Sequence, residues 1–337
     1  MNTTGQQGVE GFEVVECQTR EEWLELRKGG IGASEAAVLV GAGRETLGDM
    51  WARKVGILPD SVEEHERLEW GRRLEPALAA AYEEKTGRLI LDPGDFTIYR
   101  SRRYPWGACT LDREIAPIED REGPGVLELK CVDSNRGSMS MSPDDGYRGL
   151  RDAAVSDWKD EPPLAYLVQL QWQLLVTGYQ WGSFAVLVGG NKFLWLDVER
   201  RQDVIDILIA EAEKLWQMVA EETPPPIEYE SSSAKDLLGA MYQKDDGTTI
   251  ELPAAAIGWD ARRTELKAQE KTVAAELEAI DNSLRAAIGE HTIGTLPDGS
   301  GRYRWQQVIK HVAAKDAYEQ RFRELRRLAP LKGKGKP

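Results

Sequence analysis

The stretch from Trp106 to Cys131, WGACTLDREIAPIEDREGPGVLELKC, holds residues whose types and spacing suit chemistry on phosphates. Val126-Leu127-Glu128-Leu129-Lys130 reads as a strand. Side chains alternate with period two, so Glu128 and Lys130 share one face while Leu127 and Leu129 face a core. A polar Gly/Pro turn over Glu122 to Gly125 precedes this strand, and Asp112 stands before it in a short apolar strand of its own. The expected hairpin gathers two carboxylates and an ammonium on one side. Converging carboxylates repel unless a cation lies between them, and hard oxygen ligands favour Mg²⁺ or Mn²⁺. A lysine in that company is placed to hold or deprotonate a water, or to stabilise charge on a phosphate. An E-x-K strand by itself is commonly a solvated face, so the rest of the chain must supply the context.

Three further elements bear on the same chemistry. Ser34 reads as the N-cap of an Ala/Val/Leu helix closed by Gly41. Free N–H groups there, the Ser34 hydroxyl and the nearby Arg27 make an anion site, set against the plainer reading of a capped buried helix. From Glu63 to Gly87 a helical pattern places Leu74, Leu78 and Tyr82 on one stripe. Glu75 abuts that stripe and precedes Pro76, where a break is expected; a carboxylate at that break is in a position to reach the metal cluster. The helix from Leu164 to Val176 carries Gln169, Gln171 and Gln173. Exposed amides are the ordinary expectation for these, with Gln169, one turn after Tyr166, able to hydrogen-bond a phosphate or a water.

Composition narrows the field. The 337 residues are enough for two units with a full core. No apolar run is long enough to cross a bilayer, and no secretory leader is read at the N-terminus. Three isolated cysteines (Cys17, Cys109, Cys131) form neither a paired framework nor a CxxC clip, which fits a reducing cytoplasm. Three histidines (His65, His291, His311) offer no zinc cluster and no nucleophile pairing. The net charge of −14 is uneven: from Arg262 onward there are 16 Lys+Arg against 10 Asp+Glu, and before it 27 against 47. The basic excess is C-terminal, including Arg302, Arg304, Arg326 and Arg327.

The remaining elements must position these residues. Residues 1–15 read as a loose leader and Trp23 to Arg27 as a short helical piece. Strands are expected at 89–91, 96–99, 108–115 and 126–131. A polar loop is expected over 133–163, and a hairpin at 184–188 and 193–198 turns at Gly189-Gly190-Asn191. A helix over 203–220 ends before Thr223-Pro224-Pro225-Pro226, the clearest boundary in the chain. The order gives an α/β domain over 1–230 with a mixed central sheet. Residues 231–337 read as a basic accessory region: a long helix with a Leu266–Ile288 stripe, a hairpin around Pro297 to Gly301, and a basic helix over 314–328. The stripe is a packing seam against its own domain or a partner subunit.

Together these motifs resemble the YqaJ-like viral recombinase family, which includes the lambda phage exonuclease, within the PD-(D/E)XK nuclease superfamily. The resemblance spans roughly Trp23 to Pro226. Trp23-Leu24-Glu25-Leu26-Arg27 with Ile31-Gly32-Ala33-Ser34-Glu35 is similar to the family's opening W-x-x-L-R and x-A-S-(D/E). Trp70-Gly71-Arg72-Arg73-Leu74-Glu75 is similar to W-G-x-x-x-E, and Leu127 to Cys131 is the E-x-K strand. Thr110-Leu111-Asp112 stands where the family has (S/T)-P-D or N-L-D. Tyr166-x-x-Gln169-x-Gln171 with Thr177-Gly178 resembles the Y-x-x-Q-x-Q helix. Arg113, where glycine is frequent, leaves open whether its side chain points into the site.

The resemblance implies a PD-(D/E)XK restriction-endonuclease-like α/β core, its mixed central sheet flanked by helices. It implies that Asp112, Glu128 and the backbone carbonyl of Leu129 hold metal, with Glu75 completing the second-metal side and Lys130 positioning the attacking water. Arg27, Ser34, Thr110 and Gln169 would recognise a 5′ phosphate. The implied activity is a phage or prophage exodeoxyribonuclease using a pair of Mg²⁺ (or Mn²⁺) ions. It would digest linear duplex 5′ to 3′, leave 3′ overhangs for a single-strand annealing partner, and work as a homotrimeric ring in the bacterial cytoplasm. An endonuclease on the same fold and a non-catalytic DNA-end-binding protein are the alternatives. Iron–sulfur variants need four cysteines.

Overall fold

The computed structural model describes residues 11–59, 66–132, 158 and 161–307. His65, most of the expected polar loop, the expected basic helix over 314–328 and the Lys/Gly tail lie outside the described residues. The chain divides into two compact units, Met1–Tyr242 and Gln243–Pro337.

The first unit holds two sheets. Strand β1 (Phe12–Glu16) pairs antiparallel with β3 (Thr97–Ser101), which pairs with β4 (Ala108–Cys109). The larger sheet runs in the order β2 (Ile90–Leu91), β5 (Arg113–Ile115), β6 (Gly125–Val132), β7 (Trp181–Val188) and β8 (Lys192–Glu199). Only β6 and β7 in this sheet are parallel, and helix α4 (Leu164–Thr177) lies between them in the chain. That makes a β-α-β crossover. The remaining helices of the unit are α1 (Arg20–Lys28), α2 (Leu47–Lys54), α3 (Glu66–Thr86), α5 (Gln202–Ala220) and α6 (Ala234–Met241). The core is therefore a mixed sheet with helices against it, in the α/β class expected.

Strand β6 divides the core as its alternation requires. Leu127 and Leu129 are buried against Leu78 and Tyr82 of α3 and Trp181 of β7. Val126 and Val132 join the other core cluster, which holds Leu170, Trp172 and Leu174 of α4. Glu128 and Lys130 therefore face the α4 side. Burying a Leu or Val side chain contributes on the order of 1.5–3 kcal/mol, so a one-residue slip of β6 is strongly disfavoured.

Four local expectations are corrected. Residues 12–16 are strand, not leader, because Phe12 packs on the Tyr99 and Tyr179 rings and β3 supplies the ladder. The 108–115 strand is two strands in different sheets, β4 and β5, with Asp112 at the bend between them. Helix α3 runs unbroken through Pro76. The N–H that proline lacks would have met the carbonyl of Arg72, and both residues lie on the exposed face, where water satisfies the carbonyl. Helix α2 was absent from the sequence reading, although Thr46 and Asp49 form a reciprocal capping box at its start.

In the second unit, α7 (Ala255–Ile288) ends at Gly289, and β9 (Ile293–Thr295) pairs antiparallel with β10 (Arg302–Arg304). Leu266, Val273, Leu277 and Ile280 on α7 are exposed.

Candidate active site

The bend at Asp112 brings two separated acids together. Strand β5 pairs with β6 in the register Arg113↔Leu127, and one further step sets Asp112 opposite Glu128. That step has no β5 residue, so the Leu129 N–H turns to Asp112 instead and donates to its Oδ2 at 2.8 Å. A strand residue's N–H and C=O face the same side, so the Leu129 carbonyl points to this edge as well.

Glu128 is 1% exposed and its carboxylate is held by three donors. Lys130 Nζ and Gln169 Nε2 both donate to Oε1, and Gln173 Nε2 donates to Oε2 at 2.7 Å. Lys130 Nζ also donates to Gln169 Oε1 at 3.2 Å and lies 5.1 Å from the centre of the Tyr166 ring. Burial, with the charge of Glu128 beside it, pushes the Asp112 carboxyl up to about 8. Burial disfavours the charge of Lys130, but Glu128 and Asp112 more than offset this and hold its ammonium above the ordinary range. Glu75, on α3, is raised by burial; Arg113 and Lys130 oppose that rise and Glu128 adds to it. Arg113 donates to the Asp112 carbonyl and pairs with Asp92 at 3.3 Å, while its charge also acts on Glu75.

A cavity of about 50 Å³ adjoins Asp112. Its polar lining is Arg27, Ser34, Thr110, Asp112 and Gln169, so all four side chains expected to recognise a phosphate share one recess with one of the carboxylates. The recess exceeds the volume of one liquid water, roughly 30 Å³. Arg27 stacks over Trp23 at 4.5 Å. The loop carrying Ser34 is fixed at its start. Ile31 N donates to the Trp106 carbonyl at 2.6 Å, and a Cβ on Gly30 would lie 2.9 Å from that oxygen, so only glycine permits the approach.

Ser34 is not a helix N-cap. A 3₁₀ helix begins at Ala36 with Glu35 before it, closed by Gly41 at φ 69. Glu35 instead reaches back to accept from the Gly32 N–H at 2.8 Å, and Lys54 and Arg53 of α2 pair with the same carboxylate at 2.9 and 3.2 Å. Burial alone would raise Glu35; Lys54, the Gly32 N–H and Arg53 together hold it below its usual value.

The sequence reading missed two things here. Gln171 and Gln173 are buried, not exposed amides. Gln171 bridges the Glu199 carbonyl and the Arg201 N–H, while Gln173 serves Glu128. The signal was the four-residue spacing of Gln169 and Gln173, which puts both on one helix face.

The donor set fits a hard divalent cation. Two carboxyl groups and a backbone carbonyl line one edge, and a cation there would offset the burial and the Glu128 charge that keep Asp112 protonated. Among the described residues no three Asp, Glu, His or Cys side chains already converge as a ready-made cluster. Mg²⁺ is usually bound through one or two carboxylates, with water and phosphate oxygens filling the remaining positions.

Residues 22–180, which contain every one of these site residues, match the YqaJ-like viral recombinase domain. The chain is 26% identical over 298 residues to the uncharacterized protein YqaJ of Bacillus subtilis (strain 168), covering 87% of this chain and 85% of that one. Among solved structures it is similar to the alkaline exonuclease LHK-Exo from Laribacter hongkongensis, at 20% identity and TM-score 0.46 over 64% of this chain and 99% of that one. The same exonuclease in complex with dAMP gives a TM-score of 0.47. A phage related exonuclease from Haemophilus somnus 129PT is 13% identical, with TM-score 0.39 over 57% of this chain and 96% of that one. The matched stretch, residues 22–180, thus contains the whole candidate site, and no described helix is long and apolar enough to cross a membrane.

Proposed function

We propose that this protein is a metal-dependent exodeoxyribonuclease that digests linear duplex DNA from a 5′-phosphorylated end. One observation carries the reading: Asp112, Glu128 and Lys130 converge beside a cavity lined by Arg27, Ser34, Thr110 and Gln169. The match of residues 22–180 to the YqaJ-like viral recombinase domain supports the same class.

Mg²⁺ or Mn²⁺, as a pair, would supply Lewis-acid stabilisation of the phosphate oxygens and an activated water. Asp112, Glu128 and the Leu129 carbonyl would hold that group, with Glu75 on α3 as the further carboxylate for a second ion. Lys130 Nζ, fixed between Glu128 and the Tyr166 ring, would orient the attacking water. Arg27 and Ser34 grip the terminal phosphate, which sets the scissile bond one nucleotide away and gives 5′-to-3′ polarity with a 3′ overhang. Such overhangs suit a single-strand annealing protein of phage type in the bacterial cytoplasm, and a homotrimeric ring would keep the enzyme on one strand.

Linear duplexes labelled at either end, with and without a 5′ phosphate, are to be digested beside a closed circle. Loss of the 5′ label first, with the circle intact, is expected. A cut circle favours an endonuclease on the same fold, and binding without any cleavage in Mg²⁺ favours an end-binding protein.

A further inference from the structure

Gln173 is 1% exposed and sits one helical turn beyond Gln169 on α4. Its two amide hydrogens go to two different segments. One meets Glu128 Oε2 on β6 at 2.7 Å, and the other meets the Thr110 carbonyl at 3.2 Å, two residues before Asp112. One nitrogen thus ties together the strand that carries Glu128 and the bend that carries Asp112. Few side chains can do this. Serine and threonine have one donor, while lysine and arginine would add a charge that competes with a bound cation. The Oε1 of the same amide is buried and has no hydrogen-bond partner among the described residues. A buried acceptor without a donor is destabilising, so this side chain is not the best choice for stability alone.

We infer that Gln173 is a positioning residue for metal binding: it sets the separation of Asp112 and Glu128 and fixes the rotamer of Glu128. The inference rests on the metal-site reading above. Gln169 and Lys130 hold the other carboxylate oxygen, so Glu128 is clamped at both oxygens by neutral amides on one helix face and by one ammonium. Partners of this kind, one step out from a metal, typically govern 10- to 100-fold in metal affinity, as order-of-magnitude figures.

The test is Mg²⁺ and Mn²⁺ titration by calorimetry on DNA-free protein, with thermal melting and single-turnover cleavage of a linear duplex. Gln173→Met keeps the length and apolar stem and removes both donors and the orphan acceptor. It is expected to fold but to melt below wild type in chelator, because a buried Glu128 oxygen loses its donor, while binding Mg²⁺ about 10- to 100-fold more weakly, with cleavage partly restored by excess Mg²⁺. Gln173→Asn keeps an amide that is too short to span both acceptors, and its affinity should lie between the two. It carries the test if the Met variant does not fold. A folded variant that binds Mg²⁺ within about twofold of wild type overturns the inference, because that is below the expected range. Wild-type protein that cleaves DNA in chelator without binding metal overturns the metal reading, and this inference with it.

Discussion

Asp112→Asn separates what the site costs the fold from what it gives the chemistry. The Asn carbonyl oxygen can still accept from the Leu129 N–H, so the bend keeps its anchor. The charge facing Glu128 is removed. In the wild type, burial and Glu128 raise the Asp112 carboxyl from 3.8 to about 8. The unfolded chain releases that proton near pH 4, while the folded chain holds it to about pH 8. Between those limits the folded state binds more protons, so the stability of the metal-free protein falls as pH rises. The limiting slope is about 1.4 kcal/mol per pH unit, so moving from about pH 6 to about pH 8 removes up to about 3 kcal/mol. Denaturant unfolding in chelator at both pH values measures this. The wild type should lose stability across the interval, whereas Asp112→Asn should stay level and be the more stable protein at the higher pH. Excess Mg²⁺ should restore the wild type, because a ligand that binds only the folded state stabilises it, and should leave the variant unchanged and inactive. A variant less stable than wild type at the higher pH in chelator would refute the charge-repulsion account.

Lys130→Ala should abolish cleavage yet still bind Mn²⁺, since its ammonium positions water and is not a ligand; calorimetry beside a nuclease assay separates the two. Arg27→Ala should slow digestion of 5′-phosphorylated ends about 10- to 100-fold, the equivalent of a charged hydrogen bond of roughly 1.5–3 kcal/mol, and affect 5′-hydroxyl ends far less. Equal losses on both ends would make Arg27 structural. Cutting the chain after Tyr242 should leave the first unit folded, while cutting after Pro226 removes Leu237, 2% exposed in its core, and costs about 2–5 kcal/mol by urea unfolding. If the cut after Tyr242 leaves the salt dependence of DNA binding unchanged, the basic C-terminal unit does not grip the phosphate backbone.

The face of β6 was legible in the sequence because period two is a property of the strand itself: Glu128 and Lys130 had to share a side once Leu127 and Leu129 were buried. The C-terminal end of α4 and the Gly189-Gly190 turn were legible for a similarly local reason, since glycine at positive φ marks them. Spacing singled out Asp112, Glu128 and Lys130 as one constellation, while Thr110 and the Leu129 carbonyl entered only through the family resemblance. The convergence of these groups could not be read from spacing. Asp112 reaches Glu128 because a run that reads as one strand splits between two sheets, and only the partners of each half decide where it bends. Pro76 reads as a helix break, yet α3 carries on through it because tertiary packing of Leu78 and Tyr82 outweighs one missing hydrogen bond. Gln173 reads as a surface amide. It became a partner of Glu128 only when α4 settled on that face of the sheet, because a glutamine's role is set by the acceptors that long-range packing places within its reach.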